Sequence, residues 1–202
     1  MFAPLRHRCR RCALPTPAAV TVCGRCLLHP PGFDAALAAL DYGHPWDAVL
    51  TRYKFHAALD LGAALTDRLV AAVEAASLPL PVLLLPAPLS RERLKERGYN
   101  QSWELTRRLA RQLCIPASPA LLLRVRHSVQ QMSLPLAERA GNVRDAFAVE
   151  PRRCAELQGR DVAVVDDVMT TGATAEEITR VLRAAGAARV QIWALARTLP
   201  PE

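Results

Sequence analysis

Two adjacent carboxylates and a threonine-glycine turn are the residues of this 202-residue chain whose types and spacing could do chemistry together. Residues 162–174 read VAVVDDVMTTGAT. Val162 to Val165 suit a buried parallel strand. Asp166 and Asp167 follow, and Thr170, Thr171, Gly172, Ala173 and Thr174 form a turn that opens the helix-like run AEEITRVLRAAG. The first N–H groups of a helix lack internal partners and point outward, which suits a phosphate. Gly172 lets the backbone approach it, and the hydroxyls of Thr171 and Thr174 add donors. The carboxylates could accept hydrogen bonds from vicinal hydroxyls, such as the 2′ and 3′ groups of a ribose. Two other readings compete. A strand ending in acids also occurs in ATPases, but that reading needs a G-x-x-x-x-G-K-[ST] loop, and no Gly here precedes a Lys. The other is an ordinary strand–loop–helix with a Thr N-cap.

A second constellation lies at the start of the chain. Cys9, Cys12, Cys23 and Cys26 are spaced C-x2-C-x10-C-x2-C. Two residues between cysteines let one loop present two sulfurs to a metal, and two such loops complete a tetrahedron. Pro15, Pro17 and Gly24 indicate turns rather than the strand–helix setting of a redox pair. The expectation is structural Zn²⁺, with iron in a four-sulfur knuckle as the alternative. Cys114 sits in a helical pattern and Cys154 near a loop, both as packing or incidental residues.

The formal net charge is +7. Residues 1–31 hold Arg6, Arg8, Arg10, Arg11 and Arg25 and no acid, which is +5 of that total. Four thiolates around one Zn²⁺ would lower the module to about +3. A basic module favours a polyanion such as nucleic acid, against the alternative of a solvated surface. Lys54 and Lys95 are the two lysines among 26 basic residues, so abundant Arg reflects codon bias more than function. The apolar runs are Pro-broken and too short to span a bilayer, and no apolar signal segment follows the first arginines. The expectation is a cytoplasmic protein with no membrane insertion.

These residues need a frame. The chain length fits one ordinary domain with a small appendage, divided here as residues 1–31 and 32–202. Phe33 to Tyr42 has strand or helix character. Residues 46–56 and 59–76 follow helical periodicity, with Leu61, Leu65, Leu69 and Val73 on one face. Val82 to Leu85 reads as a buried strand, 86–101 as a long loop, Ser102 to Leu113 as a helix and Leu121 to Val125 as a strand. The polar segment from Arg126 to Asn142 is long enough for a mobile active-site loop. Phe147 to Glu150 reads as a short strand, and Val162 to Val165, the 175–185 helix and Val190 to Leu195 complete a βαβ arrangement. Apolar strands alternating with helices indicate an α/β fold, a doubly wound parallel sheet flanked by helices. Ligands bind at the carboxyl ends of such strands, where the 86–101 and 166–174 segments leave the sheet.

The 86–101 segment, PAPLSRERLKERGYNQ, carries Arg91, Arg93, Lys95 and Arg97 among Glu92 and Glu96. Guanidinium groups bind phosphate in bidentate fashion, and Asn100 and Gln101 add amide donors. Such a loop could meet a pyrophosphate through Arg91, Lys95 and Arg97. The other reading is a charge-alternating helix start. Tyr99 and Trp103 could stack on a base or pack in the core.

The VVDDVMTTGAT pattern resembles the phosphoribosyl-diphosphate loop of type I phosphoribosyltransferases. Together with the four-Cys knuckle, YKFH at 53–56, RGYNQ at 97–101 and the Gln131, Leu134, Arg139, Asn142, Phe147 spacing, the chain resembles the ComF family of competence and DNA-utilisation proteins. The resemblance covers nearly the whole chain. It implies a type I phosphoribosyltransferase fold with an N-terminal zinc knuckle and a part in handling single-stranded DNA during transformation or DNA uptake. It also implies phosphoribosyl diphosphate or ribose 5-phosphate as ligand, Mg²⁺ if that site is used, and competence-machinery partners such as a helicase-like ATPase. Asp166 and Asp167 would orient the ribose, Thr170 to Thr174 would hold the 5′-phosphate, and the knuckle arginines would meet DNA. One departure stands out. Purine-salvage relatives place a third acid three residues after the second carboxylate, and Thr170 occupies that position, where it is no general base near neutral pH. A DNA-handling accessory protein and a catalytic phosphoribosyltransferase with an unknown acceptor both remain open.

Overall fold

The computed structural model describes residues 5–55, 58–125 and 143–200. The expected 126–142 loop, with Gln131, Leu134, Arg139 and Asn142, lies outside the described residues, as does His56. The strands are β1 (Ala35–Asp41), β2 (Leu83–Pro86), β3 (Leu122–Arg124), β4 (Phe147–Val149), β5 (Asp161–Met169) and β6 (Arg189–Arg197). The helices are α1 (Gly24–Leu28), α2 (Trp46–Phe55), α3 (Gly62–Ala76), α4 (Arg91–Arg97), α5 (Gln101–Gln112) and α6 (Ala173–Ala184).

Four strands pair in parallel in the order β1-β6-β5-β2, and β3 pairs with β4 as a separate antiparallel ribbon. Strand alternation sends the side chains of β5 and β6 to two cores. Ala163, Val165, Trp193 and Leu195 pack under Leu65, Leu69 and Val73 of α3 and Leu105 and Leu109 of α5. Val162, Val164, Ile192 and Ala194 face Ile178 and Leu182 of α6, with Phe147 and Leu157. Helices on both faces explain why the central strands are apolar throughout rather than alternating. The alanine-rich 35–41 stretch becomes a strand because β6 pairs with it over its length, Ala35 opposite Gln191 and Asp41 opposite Arg197.

Two sequence readings change. The 86–101 segment is not one long loop, because α4 fills its middle. The Ser90 hydroxyl accepts from the Arg93 N–H at 3.3 Å to start it, and Gly98, at φ 78°, ends it in the left-handed conformation. The acids do not follow the strand but lie within it: β5 continues to Met169 because β6 pairs with it as far as Arg197. Asp166 therefore leaves the sheet on the Val164 face and Asp167 on the Val165 face.

The knuckle docks on this sheet. The Ala36 N–H donates to the Arg10 carbonyl at 2.9 Å, and Ala13 is buried in the α6-side core. Among the described residues, no helix is long and apolar enough to cross a membrane.

Candidate functional site

A cleft of about 420 Å³ opens at the carboxyl ends of β2 and β5. Asp166, Asp167, Thr170 and Thr174 line it from β5 and the start of α6, Arg93 and Arg97 from α4, and Gln101 and Ser102 from α5. Lys54, Phe55 and Arg124 close it. Asn100 sets this geometry by capping α5: its side chain accepts from the Ser102 N–H at 2.9 Å and donates to the Ala87 carbonyl at 3.1 Å. That aims the first turn of α5 at the acids.

The two carboxylates have different surroundings. Asp167 is buried; its Oδ2 accepts from Lys54 Nζ at 3.0 Å and Gln101 Nε2 at 3.2 Å, and its Oδ1 from the Val168 N–H at 2.8 Å. Asp166 Oδ1 accepts from Ser102 Oγ at 3.1 Å and the Asp167 N–H at 2.9 Å. Burial, and then the charge of Asp167, push the Asp166 carboxyl up to about 7, against the pull of Lys54. Burial alone would also raise Asp167, but the charge and hydrogen bond of Lys54 outweigh it and hold Asp167 below the ordinary carboxylate range. Burial lowers the Arg97 guanidinium somewhat, while Asp167 opposes the change. Arg97 lies over the Phe55 ring at 4.7 Å and donates to Gln101 Oε1 at 3.0 Å.

The loop at the start of α6 splits between two sides. Gly172 takes φ 91° as the residue before the helix, and Thr171 Oγ1 accepts from the Ala173 N–H at 3.3 Å. Thr170 and Thr174 face the cleft; Thr171 and Gly172 face the knuckle, across a cavity of about 270 Å³ that Arg25, Cys26 and His29 also line. Ala173 lies on a third side, beside Val143 and Arg144. Among the α4 residues, Arg97 lines the cleft and Arg91 and Lys95 do not; both are exposed. The reason is the helix, since residues 93 and 97 share a face that 91 and 95 do not. Tyr99 and Trp103 are also absent from the lining, and the Tyr99 hydroxyl donates to the Tyr53 carbonyl. Tyr42 and Phe55 are the aromatic residues there.

Lys54, Ser102 and Arg124 were not among the expected site residues, and Arg93 was named in the basic segment but not as a diphosphate contact. Their signals were faint. Lys54 is one of two lysines in a chain otherwise biased to Arg, and Ser102 is marked only by its place behind the Asn100 cap.

The four knuckle sulfurs all lie within 4.8 Å of one another, with Cys12 and Cys23 at 3.7 Å. That separation is far beyond a disulfide bond. It is near the roughly 3.8 Å edge of a tetrahedron with metal–sulfur bonds of about 2.3 Å. Burial pushes the Cys12 thiol up to about 11 and raises Cys26 further. For Cys9, burial is outweighed by nearby N–H groups, Cys23 foremost, which bring it down to about 7. A divalent cation would relieve the repulsion among four thiolates, so the donor set fits one.

The knuckle arginines divide. Arg8 donates to Asp41 at 2.7 Å and to the Ala13 carbonyl at 3.1 Å. Arg11 donates to the carbonyls of Asp34 at 3.1 Å and Pro31 at 2.9 Å. Arg6 also pairs with Asp41, at 3.0 Å, with its side chain 63% exposed. Arg10 and Arg25 are exposed.

The model of the phosphoribosyl transferase domain family matches residues 102–199, the stretch from the acid-facing end of α5 through β6. The chain is 35% identical to the DNA utilization protein YhgH of Escherichia coli O157:H7, over 95% of this chain and 84% of that protein. It is 36% identical to competence protein F of Haemophilus influenzae, over 87% of this chain and 78% of that one. The chain belongs to the ComF family. Its fold is of the phosphoribosyltransferase type, a parallel sheet flanked by helices with a four-Cys cluster near its N-terminus. Among solved structures it is similar to the Bacillus subtilis glutamine phosphoribosylpyrophosphate amidotransferase, at 18% identity and a TM-score of 0.45, over 71% of this chain and 30% of that one. Another is the Trypanosoma cruzi hypoxanthine phosphoribosyl transferase, at 12% identity and a TM-score of 0.40, covering 71% and 74%. In this ComF-family chain the matched domain contributes the acids, the threonines and Ser102, while Lys54, Arg93 and Arg97 come from before it.

Proposed function

We propose that this protein is an accessory factor of DNA uptake and natural transformation that handles single-stranded DNA in the cytoplasm and keeps a pocket for phosphoribosyl diphosphate or ribose 5-phosphate. The names of its relatives, a DNA utilization protein and a competence protein, support the first part. One observation carries the second: an acid pair, two loop threonines and the guanidinium groups of Arg93, Arg97 and Arg124 line a single cleft. Thr170 and Thr174, with N–H groups of the first turn of α6, receive the 5′-phosphate. Asp166 meets the ribose hydroxyls, and Arg93 and Arg97 meet the diphosphate. Asp166 would hold Mg²⁺ if the site is used, since Mg²⁺ is commonly held by one or two carboxylates plus substrate phosphates, and the ion would supply charge neutralisation there. Zn²⁺ in the knuckle is structural. The partners are single-stranded DNA and other proteins of the competence machinery, a helicase-like ATPase among them.

A catalytic phosphoribosyltransferase is the second reading, favoured by the complete acid–acid and Thr-Gly-x-Thr loop. Against it, among the described residues that line the cleft there is no carboxylate beyond Asp166 and Asp167 and no histidine to take a proton from an acceptor. The deciding experiment measures diphosphate release from phosphoribosyl diphosphate with Mg²⁺ across a panel of nucleobases, beside single-stranded DNA binding by the same preparation. Binding of both ligands without base-dependent release is expected. Release that depends on one base would establish the enzyme instead.

A further inference from the structure

On its α3 side the knuckle borders a further cavity of about 550 Å³, which shares no lining residue with the cleft. It lies between the knuckle, the edge strand β1 and the end of α3. Ala36 and Ala38 of β1 and Ala72, Ala75 and Ala76 of α3 supply much of its wall. Side chains of one methyl group leave the space between these elements open instead of filling it. The volume falls within the roughly 300–1,000 Å³ of pockets that take small organic groups.

The rim at the knuckle is cationic. Arg6, Arg10 and Thr21 line it and are exposed, and among the described residues no carboxylate lines the cavity. The backbone of Arg10 is fixed: its N–H donates to the Thr21 carbonyl and its carbonyl accepts from the Ala36 N–H, both at 2.9 Å. Its guanidinium makes no hydrogen bond or ion pair with another described residue. Arg6 and Arg8 share Asp41, through Oδ2 at 3.0 Å and Oδ1 at 2.7 Å; Arg8 is spent in that contact, whereas the Arg6 side chain stays largely exposed. The opposite end has the other sign. Ala75 and Ala76 are the last residues of α3. The final carbonyls of a helix lack intrahelical partners and form the negative end of its dipole. That end disfavours an anion and offers acceptors to N–H groups. A nucleotide presents an anion, a flat apolar ring and an N–H edge in that order. An acyl chain would leave the carbonyls of α3 without donors.

We propose that this cavity receives a nucleobase of single-stranded DNA, with the adjoining phosphate held by Arg10 and Arg6. The inference rests on single-stranded DNA being a ligand, as proposed above, and says where and how a strand is held. Guanidinium–phosphate contacts alone give a binding that salt weakens steeply. A base seated among Ala36, Ala38 and Ala75 adds a part that salt does not screen, because it comes from burying apolar surface. Proteins that hold single strands without sequence preference commonly stack bases on aromatic rings. No aromatic residue lines this cavity, so insertion between methyl walls takes the place of stacking.

The test compares a labelled oligothymidine with a strand of the same length that carries abasic sites throughout, by fluorescence anisotropy across a salt series with the full chain purified without chelator. Both strands have the same phosphates, so their log–log salt slopes should agree. The parent should hold the base-bearing strand at least about fivefold more tightly at every salt concentration. Ala75→Leu and Thr21→Leu fill the cavity from opposite sides without adding charge or a ring. Each should reduce that preference to about twofold or less, while the slope and the affinity for ribose 5-phosphate stay as in the parent. Both positions are exposed, so neither leucine enters the core, and if one variant fails to fold the other decides. Equal binding of the two strands by the parent overturns the inference, and so does a preference that survives both leucines, which would seat the base elsewhere. Either result leaves single-stranded DNA as a ligand and assigns the cavity to another occupant, such as a peptide. No binding of either strand refutes the DNA reading itself, and the cavity's role with it.

Discussion

The Arg197 guanidinium donates to the carbonyl of Cys12 at 3.0 Å, and so ties a knuckle cysteine to the last residue of β6. Arg197 is buried, and its Nη1 also serves the carbonyls of Met169 at 3.0 Å, Thr198 at 2.9 Å and Thr170. One side chain thus joins the four-Cys knuckle to the loop that presents Thr170 and Thr174. Gly32 adds a second tie, its N–H donating to Glu176 Oε2 at 2.9 Å.

Arg197→Met should therefore act on both ends. It removes the shared donor of four carbonyls, of which Met169 keeps the Thr198 N–H, at a cost of roughly 1–3 kcal/mol, which urea denaturation reads. It should also weaken ribose 5-phosphate binding, although Arg197 does not line the cleft. A folded variant with unchanged affinity would show that the loop holds its shape without the knuckle.

Metal removal follows the same path. One equivalent of Zn²⁺ per chain is expected on Cys9, Cys12, Cys23 and Cys26. Mild chelation should expose the amides of residues 5–31 to hydrogen exchange while the β5–β6 core stays protected, because the knuckle buries little apolar surface of its own beyond Ala13 and the cysteines. The amides of 170–172 should exchange faster as well. Metal content under about half an equivalent after gentle purification, with disulfides instead, would count against the site.

The acid pair gives stability a pH dependence in two opposite senses. The Asp166 carboxyl is raised to about 7, first by burial and then by Asp167, from an unfolded value of about 3.9. Between those values the folded chain binds more protons than the unfolded chain, so this group's contribution falls as pH rises through that window. Asp166→Asn should remove the loss and stabilise the Mg²⁺-free protein at pH 8 by something on the order of 1–3 kcal/mol, with little change near pH 4. Asp167 is held low by Lys54 despite its burial. It stabilises above the unfolded carboxylate range, and that stability is lost as pH falls through its folded value. Asp167→Asn should therefore destabilise at neutral pH. Urea midpoints at pH 5 and pH 8 for both variants check the signs, and a parallel response of the two would refute the split.

Much of this was legible where pattern is local. The apolar runs 162–165 and 190–195 declared central strands, and the 65, 69, 73 spacing declared α3. The C-x2-C pairs announced a cluster of four sulfurs that could hold a metal before any sulfur was placed. What stayed hidden depended on distant partners. Asp166 and Asp167 lie inside β5 because β6 runs as long, which no reading of 162–174 alone contains. Lys54 is more than 110 residues before Asp167, so the pair exists only once α2 packs beside β5. The α4 helix was masked by its charge alternation, although Ser90 and Gly98 were the start and stop signals. The knuckle arginines look equivalent in sequence and separate only when Asp41, Asp34 and Pro31 come within reach.

That separation reshapes the expectation for DNA. The sequence offers five arginines in 31 residues with no acid. In the fold, Arg8 is 9% exposed at its side chain and spent on Asp41, and Arg11 is spent on two carbonyls. Arg6, Arg10 and Arg25 carry the exposed charge. Releasing counterions from a single strand gives a log–log salt slope of roughly 0.7 per neutralised phosphate. Changing Arg6, Arg10 and Arg25 together to Ala should thus flatten the slope for single-stranded DNA by about two units and weaken binding, without altering ribose 5-phosphate affinity. Arg8→Ala with Arg11→Ala should act differently, lowering the stability of the knuckle more than the slope, since their partners are the protein's own groups. Fluorescence anisotropy of a labelled oligonucleotide across a salt series reads both. An unchanged slope in the triple variant would shift the DNA to the cleft rim, where Arg93, Arg97 and Phe55 offer guanidinium groups and a ring. In that case ribose 5-phosphate should compete with the oligonucleotide, whereas on the knuckle surface the two bind together.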